Sequence, residues 1–123
     1  MTLRVDPSKK ISSIKAEFNA AFPFLRLEFF KHQHKVNAPS PKNDLILKDV
    51  PLNDLMHGKN THVIEISDDM PVQLLEQLFQ SEFGISTQVF RKSGKSWLET
   101  SVTDDWTLRK QNEDGKELSQ FSE

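Results

Sequence analysis

One structural template occurs twice in the amino-acid sequence, about sixty residues apart. Ile11, Ile14, Phe18 and Phe22 recur as Val72, Leu75, Phe79 and Phe83 at a constant offset of 61. Upstream, Leu3 and Val5 recur as Ile64 and Ile66 at the same offset. One extra residue enters at Pro23–Phe24, and from there residues 25–31 match residues 85–91 at an offset of 60. A repeat of this length constrains architecture before any single side chain is weighed, because each unit must bury a face it cannot cover alone.

The apolar spacing assigns elements to each copy. Residues 2–5 read as a short strand. Asp6-Pro7-Ser8 can cap a helix start. Steps of three, four and four then place Ile11, Ile14, Phe18 and Phe22 on one helical face, and Pro23 stops the helix. Leu25, Leu27 and Phe29 alternate with Arg26, Glu28 and Phe30, the period of a half-buried strand. Residues 45–47 look like a short returning strand, and residues 51–56 like a single helical turn. The second copy opens with a strand over 62–66. A helix capped by Ser67-Asp68-Asp69 follows, with Gly84 at its end. The turn signal Ser93-Gly94 predicts a hairpin of 88–92 with 95–100. Thr103-Asp104-Asp105 starts a last short helix anchored by Trp106 and Leu108.

The expected fold is α+β. Two tandem β-α-β-β pseudo-repeats, 2–58 and 62–112, make one domain over 1–112 around Phe18, Phe22, Phe29, Phe79 and Phe83. Strand, helix, strand implies a right-handed crossover between parallel strands, hence a mixed sheet of about six strands with two main helices on one face. Residues 113–123 read as a polar C-terminal tail that frays, apart from contacts by Leu118 and Phe121.

Composition narrows the function classes. A chain of 123 residues suits one domain, and its 36% apolar content is reinforced by nine Phe and two Trp. Large rings can carry a small core. With no Cys there is no disulfide, thiolate zinc site or Cys nucleophile. Residues 1–10 are polar and basic with no apolar run behind them, and no segment approaches the ~20 residues that span a bilayer. The expectation is a cytoplasmic protein with no membrane contact. Residues 1–60 hold ten Lys and Arg against six Asp and Glu, while residues 61–123 hold six against twelve. Such halves attract, within the molecule or between molecules.

The copies differ on the second helix flank, where Leu74 and Leu78 replace Ser13 and Glu17. They are expected to pack against the other copy; otherwise they form a patch for a partner or a second subunit. The first copy instead has a longer polar loop, residues 31–43, with two prolines. A basic tip recurs in both: Lys31, His32, His34 and Lys35 align with Arg91, Lys92 and Lys95. Phe30, Phe90 and Trp97 lie nearby. Basic tips beside rings can bind phosphates and stack bases, or dock an acidic partner.

Other constellations are weaker. His32 and His34 stand two apart, so an extended chain would point them the same way, but no carboxylate spacing completes a metal site. Asp104-Asp105 beside Trp106 reads as helix capping rather than acid–base chemistry. No phosphate-cradling glycine loop, nucleophile elbow or H-E-x-x-H motif is present. No catalytic residue, metal ligand or cofactor is assigned.

The run Val72-x-x-Leu75-x-x-x-Phe79-x-x-x-Phe83-Gly84-Ile85-x-x-Gln88-Val89-Phe90, followed by Thr103-Asp104-Asp105-Trp106-Thr107-Leu108, resembles a group of small bacterial proteins. They repeat an F-x-x-x-F-G, strand, hairpin, D-x-T-L unit. The likeness covers 62–112 and more loosely 2–58, where Pro23 replaces the glycine and residues 51–55 the last motif. It implies no established activity. The element order is also similar to the latter part of ubiquitin-like β-grasp folds, without a di-glycine tail. The expected function is a non-catalytic protein-interaction or regulatory binding module. Its surfaces are the basic tips, the Trp97–Trp106 region and the Leu74/Leu78 flank, and its target is a protein partner or a second copy. A nucleic-acid-binding accessory protein is the alternative and a small enzyme comes third.

Overall fold

The computed structural model describes residues 1–32, 37–56 and 61–120. Strand β1 (Thr2–Val5), helix α1 (Ile11–Ala21) and strand β2 (Leu25–Phe30) come from the first copy. Strand β3 (His62–Glu65), helix α2 (Val72–Leu78), strand β4 (Ser86–Ser93) and strand β5 (Ser96–Glu99) come from the second. Helix α3 (Leu108–Gln120) ends the described chain. The α+β class holds, but the expected mixed sheet of six strands does not form. The strands make two antiparallel sheets, β1-β3 and β2-β4-β5. A β-grasp-like mixed sheet fails on the same ground. The crossover rule does not apply, because β1 and β2 lie in different sheets. Alternation fixes which face of a strand is buried and leaves its neighbour open.

The pairing has an internal symmetry. In the small sheet Leu3 lies opposite Ile64, and in the larger one Glu28 lies opposite Gln88. Each is the repeat counterpart of the residue it faces. Every inter-copy strand pair is therefore centred on equivalent residues, as a two-fold axis through both sheets requires. Antiparallel pairing about such a centre puts Leu27 beside Val89 and Phe29 beside Thr87 on one face. The apolar alternates of both copies thus serve one core.

The same clasp closes each unit. Ile11 N–H donates to Val50 O, Leu52 N–H to Lys9 O and Asn53 N–H to Pro7 O, at 3.0, 2.8 and 2.8 Å. In the second copy Val72 N–H donates to Trp106 O, Leu108 N–H to Met70 O and Arg109 N–H to Asp68 O, at 3.0, 2.9 and 2.8 Å. These bonds occupy backbone groups beside each helix start and bury Leu52 and Leu108 equivalently.

Both helices begin later than their sequence caps imply. The Asp6 carboxylate accepts from Ser8 N–H at 2.9 Å and Ser8 Oγ at 2.7 Å, closing a turn ahead of α1. Ser67 Oγ accepts from Asp69 N–H in the equivalent place. Ile11, Ile14 and Phe18 on α1, with Val72, Leu75, Phe79 and Phe83 of the second copy, join Leu3, Val5, Leu25, Leu27, Phe29 and Val89 in one cluster. Phe79 meets Phe29 and Phe83 edge-on at 6.1 and 5.6 Å. The second copy, one residue shorter here, ends its helix differently. Residues Phe79–Phe83 form a π-turn, and Gly84 leaves it in the left-handed region at φ 69, which glycine enters without steric cost.

The hairpin forms where Ser93-Gly94 predicts it, with Gly94 at φ 62. The first copy's return strand is reduced to one bridge, Phe30 to Leu45. Residues 108–120, in contrast, are helical, so residues 113–120 continue a helix where a fraying tail is expected. Tertiary contacts override the polar composition. Asn112 Oδ1 accepts from Phe24 N–H at 2.9 Å, and a Cβ on Gly115 would meet Phe24 Cβ at 3.0 Å. Leu118 is part-exposed, and Phe121 lies outside the described residues.

Candidate interaction surface

Successive strand residues point to opposite faces, so Arg26, Glu28 and Phe30 share the outer face of the larger sheet with Gln88, Phe90, Lys92 and Trp97. Phe30 and Phe90, repeat counterparts, stack with centroids 6.5 Å apart and planes 6° apart. Gln88 is fully buried and accepts from Ser40 Oγ at 3.0 Å. Asn37, at φ 62, donates its N–H to the buried Asp104 carboxylate at 3.0 Å. The first-copy loop is thereby fastened to the second copy at two points.

The two basic tips are not equivalent. Lys31 and His32 are exposed, and His32 Nδ1 lies 3.2 Å from Asp44 Oδ1. His34 and Lys35 lie outside the described residues. Arg91 belongs to the interior of the second copy: its guanidinium is 3.0 Å from Gln111 Oε1, 3.1 Å from Asp114 Oδ2 and 5.8 Å from the Trp106 ring centroid. Lys110 also sits on Trp106, at 4.5 Å. Lys95 is exposed beside the turn, and Lys92 is half-buried. Trp97 pairs with Lys92, while Trp106 contacts its neighbour Arg91, so the tryptophans lie on opposite sides of the sheet and make no common surface. Among the described residues, no three His, Asp or Glu side chains come together as metal ligands.

Leu74 and Leu78 stay out of the shared core. Leu74 is 42% exposed and Leu78 half-buried. Neither belongs to the buried cluster, in which Val72, Leu75, Phe79 and Phe83 supply the second copy's helical face.

A cleft of about 310 Å³ opens beside α1, lined by Lys15, Ala16, Asn19, Arg26, Glu28 and Trp97. Arg26, from the edge strand β2, reaches across the middle strand to place its guanidinium 4.8 Å from the Trp97 ring centroid. Lys15 Nζ pairs with Glu28 at 2.8 Å. Asn19 holds the cleft floor by donating to Leu25 O at 2.8 Å. A second cleft, of about 250 Å³, includes Gln80 and Ser86, the repeat counterparts of Asn19 and Arg26, together with Phe30, Lys31 and His32.

The charged groups at the helix starts also differ between copies. Asp49 accepts from Ser12 Oγ at 2.8 Å and Ser12 N–H at 3.0 Å, and these bonds hold its carboxyl below the usual range. In the second copy a backbone carbonyl, Asp104 O, receives the equivalent Gln73 N–H. Arg109 forks across Asp68 and Asp69 instead, and hydrogen bonds to both raise its pKa.

Sequence reasoning missed Arg26, Glu76 and Gln111. Glu76 is buried and accepts from Val89 N–H at 3.0 Å. Gln111, fully buried, joins Arg91 to Thr103. The repeat alignment held a signal for the first two, since Arg26 stands against Ser86 and Glu76 against Lys15. No protein-family model, curated protein or solved structure matches the chain. No helix among the described residues is long and apolar enough to cross a membrane.

Proposed function

We propose that this domain is a non-catalytic protein-interaction module working in the cytoplasm, with the outer flank of α2 as its principal contact. One observation carries the reading. At equivalent positions of two helices built on the same template, the first copy has Ser13 and Glu17 and the second has Leu74 and Leu78, with Leu74 42% exposed. An apolar flank that the core does not use is suited to a partner's apolar surface.

The test is the double variant Leu74→Lys/Leu78→Lys, with native folding checked by amide spectra. Native lysate is passed over wild type and variant, and both are sedimented over a concentration series. A protein held by wild type and released by the folded variant is the expected result. Recovery of nucleic acid alone contradicts the reading. Concentration-dependent dimers that the variant abolishes would replace the foreign partner with a second copy.

A further inference from the structure

We propose that the cleft between α1 and the Arg26–Trp97 stack is a recognition site for an acidic peptide segment, seating one carboxylate beside an apolar or aromatic side chain. This rests on the interaction-module reading but concerns a separate surface, so either can fail alone.

The charges are the first reason. Glu28 is already paired with Lys15 at 2.8 Å, and its contact with Arg26 Nε, at 3.6 Å, is too long for a hydrogen bond. Arg26 is therefore the surplus cation of the cleft. Trp97 holds its guanidinium in a fixed place, and its side chain is still 49% exposed. An Arg fork oriented in advance, with free N–H groups, matches a carboxylate in bidentate geometry. Lys92, the cross-strand neighbour of Trp97, has no acidic partner among the described residues and adds a second positive charge.

Size and symmetry are the second reason. A volume of about 310 Å³ is at the lower end of ligand pockets, suited to one or two side chains. The related cleft in the other copy has Ser86 where this one has Arg26 and is not lined by a tryptophan; its cation, Lys31, is an ammonium, so the duplicated frame offers the guanidinium fork held on an indole once. A long polyanion would also run onto the acid-rich second half of the chain, where residues 61–123 carry twice as many Asp and Glu as Lys and Arg. A short segment with one or two carboxylates would not.

The experiment is an amide, indole and guanidinium NMR titration of the full chain with the peptide acetyl-Glu-Phe-Glu-amide. Acetyl-Lys-Phe-Lys-amide and a short oligothymidylate run in parallel. The acidic peptide should move the Arg26 Nε–H and Trp97 indole signals saturably and leave the Trp106 indole in place. Arg26→Gln should abolish the shifts, and Arg26→Lys, which keeps the charge and loses the fork, should weaken binding severalfold. Unmoved core methyl signals in both variants certify the fold. No saturation at millimolar peptide, equal shifts from the basic peptide, or wild-type binding by Arg26→Gln would each overturn the proposal. Tighter binding of the oligothymidylate at the same signals would overturn it in favour of a nucleic acid.

Discussion

At the outer edge of β2 the first copy places Lys15, whose ammonium pairs with the Glu28 side chain. At the matching helix position the second copy places Glu76, buried, whose carboxylate accepts from the backbone N–H of Val89. One template position thus does surface work in one copy and backbone work in the other. The same division runs through the molecule. The three-bond clasps and the buried faces are shared, while the loops, edges and outer flanks have diverged. A two-fold frame tolerates this because its core positions are specified twice and its surface positions only by what each copy meets.

The largest expected effects test the shared part. Phe18 and Phe79 are counterparts and both fully buried. Phe18→Ala and Phe79→Ala should each cost ~3–5 kcal/mol, and each should lower a single cooperative denaturant transition. Two separate transitions would break the idea of one core.

Divergence at the edges should appear next. Glu76→Ala leaves the buried Val89 N–H without this acceptor and should cost about 1–3 kcal/mol. Lys15→Ala should stay within about 0.5 kcal/mol. Equal costs in urea denaturation would contradict the division of roles. Gly115→Leu should cost a similar ~1–3 kcal/mol by crowding Phe24 and Arg91. Amide exchange in α3 should rise first, since Gly115 packs this helix on Phe24 and Arg91, whereas among the described residues of the first copy only the single turn Leu52–Asp54 stands in its place.

The smallest effect is pH-dependent. Because the folded-state pKa of Asp49 is depressed, its bonds to Ser12 contribute above the ordinary carboxylate range and are lost as pH falls through the folded value. The Ser12 amide should titrate with a midpoint below that of an unperturbed aspartate. The Gln73 amide, held by a backbone carbonyl, should not follow it. Matching titration of both amides would remove this distinction.

Much of the frame was legible in the sequence. The periodicities located both main helices, the inner faces of the strands, the Gly94 hairpin and the Gly84 helix end. Which strands pair was not legible, since alternation marks Leu27 and Val89 as inward without saying that they are neighbours. Beyond its anchor Leu108, the helix over 108–120 was hidden because the rest of its buried face is polar and small, Gln111 and Gly115, and reads as solvated by composition. At the candidate sites the exposed Leu74 flank was visible as a difference between copies. The role of Arg26 depends on Trp97, seventy-one positions away in the chain and two strands away in the sheet.

The central claim is that the copies pair with each other about equivalent residues. In antiparallel sheets the closest α-protons belong to opposed residues that exchange no hydrogen bonds. The outward bonds of Phe29 and Val89 make Leu27–Val89 such a pair, and the Met1–Ile66 bonds do the same for Arg4–Val63. Strong Hα–Hα cross-peaks for both pairs in a nuclear Overhauser spectrum are the predicted result. Their absence, with contacts instead between residues 2–5 and residues 25–30 of the first copy, would contradict it.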